Sequence, residues 1–133
     1  MHVYRIEWPD GSGYYTGSKF DLEQLPGSQE DEATARHPLP PGDSQWMDNY
    51  HRIGWQRRAD TRDLRWAFES LRSLRRWFYN DQWVRNIDAA GGLLCTYEVD
   101  ADTTIVGRTQ VAFDQTSAKL ITKEPLINIL EKV

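Results

Sequence analysis

A chain of 133 residues, 39% hydrophobic, with a mean hydropathy of -0.71 and a formal charge of -4, is long enough to bury one core without covalent staples. Its one cysteine, Cys95, excludes an internal disulfide and a cysteine-based zinc site, which fits a reducing cytoplasm. No run approaches the roughly 20 apolar residues of a bilayer span, and "MHVYRIEW" lacks the charged-then-apolar layout of a secretion signal.

Residues 1–133 are expected to form a single domain. In chain order, His2 to Trp8 reads as a strand, with Tyr4, Ile6 and Trp8 on one face and Val3, Arg5 and Glu7 on the other. Pro9 to Gly13 is turn chemistry, and Tyr14 to Thr16 is expected to return as a short strand. Periodicity then fades. Phe20 to Leu25 suggests one helical turn inside a long acidic, Pro/Gly-rich loop over residues 17–45, and loops of that length are functional or disordered. Trp46, Met47, Tyr50, Ile53 and Trp55 have helical spacing and are expected to tie the far end of that loop to the core.

Arg65 to Phe68 reads as a strand, and Ser70 as the N-cap of a helix reaching about Tyr79. Leu71, Leu74, Trp77 and Phe78 fall on its buried face, with Arg72, Arg75 and Arg76 behind. Asn80 or Asp81 caps a second helix carrying Trp83, Val84 and Ile87, which Gly91-Gly92 ends. Leu93 to Asp100 alternates as a strand, Arg108 to Asp114 is another with Val111 and Phe113 inward, and Leu120 to Thr122 is a short one. Glu124 and Pro125 are expected to start a last helix with Leu126, Ile127 and Leu130 as its stripe. The sum is an α+β domain: a small, mostly antiparallel sheet, two or three packed helices and the long loop.

The candidate sites follow from charge and chemistry. Acid dominates from Asp21 to Asp48, including Glu30, Asp31, Glu32 and Asp43, whereas the middle of the chain is rich in arginine. Arg72, Arg75 and Arg76 admit three readings: a solvated helix back, a surface for an acidic partner or the chain's own acidic loop, or a phosphate-gripping face with aromatic neighbours. The acidic total, with a sequence pI near 5.3, disfavours nucleic acid. His37 lacks further ligands at metal spacing, but prolines 38, 40 and 41 stiffen its loop, so His37 and Asp43 are candidates to hold a ligand or a partner. Arg5 pairs with Glu7 or faces water, or, if its face is covered, becomes a fixed anion donor in a pocket.

Taken together, "VYRIEW", a Gly-Tyr turn, "HPLPPGD", "FESLRSLRRWF", "YEVD" and "TQVAFD" resemble a group of short uncharacterised phage and prophage proteins, over most of the chain outside residues about 18–35. The layout also resembles the ADP-ribosyltransferase fold. That second resemblance implies Arg5 on the first strand, Ser70 at a strand end and Gln110 on a later strand as catalytic candidates, while Tyr4, Tyr14 and Phe68 join His37 and Asp43 as candidates to bind a ligand. Where those enzymes carry a glutamate, this chain has Gln110, and a neutral amide supplies no charge to an oxocarbenium-like state.

The reading that follows is a small phage-type accessory protein of the host cytoplasm that acts by binding, an inhibitor of a bacterial defence complex of the anti-CRISPR kind. Glu30, Asp31, Glu32, Asp48, Trp46, Trp55 and the three arginines are its expected contacts with a bacterial protein or ribonucleoprotein. No cofactor is expected under this reading. An NAD-binding transferase-like enzyme is the alternative, and an arginine-based nucleic-acid binder the second alternative.

Overall fold

Strand β1 (His2–Glu7) carries the alternation read from its sequence, and both of its faces are covered. The computed structural model describes residues 1–11, 13, 44–53 and 64–133. β1 pairs antiparallel with β3 (Leu93–Glu98), setting Val3 opposite Tyr97 and Arg5 opposite Cys95. β3 pairs in turn with β6 (Lys119–Pro125), giving the order β1-β3-β6. Thr96 faces Thr122 and Tyr97 faces Leu120, so Ile121 is the extra residue of a bulge in β6.

A second antiparallel sheet has the order β2-β5-β4, from β2 (Leu64–Ala67), β5 (Val111–Asp114) and β4 (Ile105–Val106). The two sheets meet where Tyr4 N–H donates to Phe68 O and Phe68 N–H donates to Tyr4 O, both at 2.8 Å.

Among the described residues, four α-helices pack on this frame. In α1 (Ser44–Ile53), Trp46 stacks on Tyr50 and buries itself with Ile105 and Ala112, while Asn49 Nδ2 donates to Val106 O at 2.7 Å. α2 (Leu71–Trp77) begins at Ser70, whose Oγ accepts from Ser73 N–H at 3.0 Å, the cap expected from the sequence. α3 (Asp81–Ala89) begins at Asn80, whose Oδ1 accepts from Gln82 and Trp83 N–H. Gly91, at φ +101°, then turns the chain into β3, because a left-handed residue is cheap only without a Cβ. α4 is the short Ile129–Lys132.

The main core lies under α2 and α3, where Ile6, Trp8 and Leu94 meet Leu74, Trp77, Phe78, Val84 and Ile87. Each such side chain contributes about 1.5–3 kcal/mol on leaving water. On the other face of β1, Val3 packs with Ala67, Val99, Val111 and Phe113.

The α+β class is as expected, with the sheet divided, among the described residues, into two three-stranded pieces. Several boundaries differ. β5 starts at Val111, since Arg108 to Gln110 belong to the turn from β4, closed by Gly107 N–H to Gln110 O at 2.9 Å. β6 runs to Pro125, and the last helix starts only after a 3₁₀ turn over Leu126–Asn128, burying Leu126 and Ile129 where Leu126, Ile127 and Leu130 had been expected. Ser44 and Gln45 begin α1 and are not loop. The strand at Tyr14–Thr16, the turn at Phe20–Leu25 and the rest of the long loop lie outside the described residues.

Candidate binding groove

Alternation in β1, β3 and β6 sends Tyr4, Leu94, Thr96, Thr122 and Glu124 to one face of the first sheet. Next to them the start of α2 supplies Leu71 and α4 supplies Lys132. With His2 and the bulged Ile121 they enclose an open groove of about 290 Å³. Its floor is apolar and its walls carry a phenol, two hydroxyls, an imidazole, a carboxylate and an ammonium, the mixed lining that suits recognition.

One ion pair in the groove is loosely held. Glu124 Oε1 lies 3.5 Å from Lys132 Nζ and, although that oxygen is buried, it accepts no hydrogen bond. At the other end His2 Nε2 lies 2.7 Å from Glu98 Oε2. The Met1 amine, 3.0 Å from Glu98 Oε1, holds the Glu98 carboxyl below its usual range, with His2 adding to the effect. Along the rim, residues 119–123 of β6 are all exposed, including Leu120 and Ile121 at 46% and 44%.

Arg5 points away from this groove. On the opposite face its Nε lies 3.0 Å from Glu7 Oε2, the same oxygen that accepts the Tyr97 hydroxyl. Arg5 and Glu7 are 7% and 4% exposed, so the pair is internal. Burial pulls the guanidinium below its ordinary value, against the opposing pull of Glu7. Burial likewise pushes the Cys95 thiol up to about 12 and raises the Tyr97 phenol, with Glu7 adding to both.

The other candidates separate cleanly. Ser70 is a helix cap whose hydroxyl also donates to Ser73 Oγ at 3.0 Å. Gln110 sits in the β4–β5 turn with its Nε2 buried and without a hydrogen bond. Phe68, expected near a ligand, is core, its ring 6.0 Å from Trp77 and 6.4 Å from Phe78. Trp46, expected to anchor a partner, is buried under α1. Asp48 is exposed, as are Arg72 and Arg76. Arg75 ties α2 to α3 through Asp81 Oδ1 at 2.5 Å and Phe78 O at 2.8 Å. Tyr14, Glu30, Asp31, Glu32, His37, Asp43 and Trp55 lie outside the described residues.

Of the expected ligand residues, Tyr4 reaches the groove. His2, Thr96, Ile121, Thr122, Glu124 and Lys132 were not foreseen. The adjacent apolar pair Leu120-Ile121 inside a polar strand was the one sequence signal for them, since it breaks strict alternation. Among the described residues no group of His, Cys, Asp and Glu is placed to hold a metal, and no helix is long and apolar enough to cross a membrane.

Comparison with known proteins gives one family, described as Bacteriophage T4 Y00F protein, which matches residues 1–127. The chain belongs to this phage family. No curated protein and no solved structure matches it. The Y00F match spans β1 to the last 3₁₀ turn, and therefore the groove except for Lys132.

Proposed function

We propose that this phage Y00F-family protein acts as an accessory factor by binding, using the groove beside β6 to engage the protein surface of a bacterial defence complex and inhibit it. The observation that carries the reading is a division of labour among side chains. Arg5 and Ser70, the residues with the best claim to transferase chemistry, are committed to an internal ion pair and a helix cap. The groove on the other face instead presents apolar floor, hydroxyls and loosely held charge together with the exposed Ile121. Such a mixed surface with apolar anchors suits protein recognition. The formal charge of -4 and the exposed carboxylate of Asp48 on α1 favour a basic protein surface over nucleic acid itself as the target.

The test is target cleavage by a purified host RNA-guided effector with excess protein present, compared with a Thr122→Arg variant that fills the groove. Loss of cleavage that the variant relieves is expected. Cleavage unaffected by the wild-type protein, with no complex in sedimentation, overturns the inhibitor reading. A thermal shift at millimolar NAD that Arg5→Met abolishes would favour the nucleotide-binding alternative instead, since a ligand bound only by the native state raises stability by mass action.

A further inference from the structure

We propose that β6 is a self-association edge: two copies pair their β6 strands antiparallel about a two-fold axis, joining the two grooves into one. Among the described residues β6 is the outer strand of its sheet, and its residues 119–123 are exposed. An edge strand offers a row of unpaired backbone N–H and C=O groups, and long apolar edges are normally blunted because they invite pairing. Here Leu120 and Ile121, nearly half exposed, sit in the middle of that edge.

The charge pattern selects the partner as a second copy. If the two-fold axis passes between Ile121 and Thr122, Lys119 stands opposite Glu124 of the second copy, and Leu120 opposite Lys123 of the second copy. Directly opposed residues of an antiparallel pair share a face, and the observed register meets this demand. Lys119 is aligned with Glu98 and Glu124 with Leu94, both on the groove side, whereas Leu120 is aligned with Tyr97 and Lys123 with Cys95, both on the other side. Lys119 makes no ion pair among the described residues, and Glu124 has only its 3.5 Å approach to Lys132. Each Glu124 thus gains a cation from the other subunit at the groove wall, and the aliphatic stem of Lys123 covers Leu120. An isologous two-fold contact makes every such pair twice. The bulge at Ile121 lies at the axis, so the pairing is carried by the flanks on either side of it.

Sedimentation from about 1 µM to about 500 µM reads the equilibrium directly, because self-association follows mass action. The wild-type chain is expected to dimerise. Lys119→Glu and Glu124→Lys, each turning two attractive contacts per dimer into repulsive ones, should each raise the dissociation constant about tenfold or more. The double variant Lys119→Glu with Glu124→Lys should restore it, which separates pairing across the axis from any damage to the groove within one subunit. A wild-type chain that stays monomeric throughout overturns the proposal and leaves the edge to a strand from a different protein. A dimer indifferent to both reversals, or one not rescued by the double swap, overturns it as well.

Discussion

Replacing Glu7 by Gln removes one charge from an internal pair while keeping the side-chain volume and an oxygen able to accept the Tyr97 hydroxyl. What remains is a guanidinium, 8% exposed, that has lost the carboxylate 3.0 Å from its Nε. Breaking a buried pair from one side costs about 3–5 kcal/mol, because the surviving charge stays desolvated. Arg5→Met should cost a similar amount for the mirror-image reason. Joining Arg5→Met, Glu7→Leu and Tyr97→Phe leaves no charge and no orphaned hydroxyl, and should recover to within about 1 kcal/mol of the natural chain. Urea unfolding followed by tryptophan fluorescence reports this well, since Trp8 and Trp77 are both buried. With a slope of about 1–3 kcal/mol per molar urea, Glu7→Gln should lower the midpoint by at least about 1 M. A Glu7→Gln midpoint within error of the natural chain, or a triple variant no better than the worst single one, would refute the claim that the pair is internal and mutually dependent.

Three further outcomes follow from other sites. Gly92→Ala should destabilise by about 1–3 kcal/mol in the same urea assay, since a Cβ there would lie 2.9 Å from the Ile87 carbonyl oxygen and 2.5 Å from its Cγ2. Ser70→Ala should cost about 1 kcal/mol as a lost cap and leave partner binding unchanged; loss of binding with unchanged stability would make Ser70 part of a site. Cys95, fully buried with its thiol raised to about 12 from an ordinary 9.0, should resist thiol reagents at pH 8 until the protein unfolds. Because the unfolded thiol ionises first, its contribution is intact below pH 9 and falls as pH rises from 9 toward 12, as alkaline unfolding curves of the natural chain and Cys95→Ala would show.

Much of the framework was legible because its signals are local. The period-two pattern of β1 and β3, the Ser70 and Asn80 caps and the Gly91 turn each follow from a few neighbouring residues. The sequence is less informative where tertiary covering decides. Arg5 and Glu7 alternate with apolar residues in the same way whether their face meets water or lies buried, and Trp46 has the same helical spacing as core or as an exposed anchor. β4 is two residues long, too short for any period to register. The groove escaped because its walls come from residues 2, 4, 71, 94, 96, 121, 122, 124 and 132, which sequence proximity does not unite.

The paired hydrogen bonds between Tyr4 and Phe68 have a kinetic consequence. Through them the first strand is bonded to residue 68 on one edge and to residues 93–98 on the other. A strand made first in the chain thus sits between partners made much later, and closing those long loops precedes any gain from the contacts. Folding is accordingly expected on the slower, millisecond-to-second side of the scale, with α2 and α3 forming early and β1 closing last. Until it closes, the hydrophobic sides of both sheets lie open, which makes the arrival of the six residues of β1 the event that completes the core.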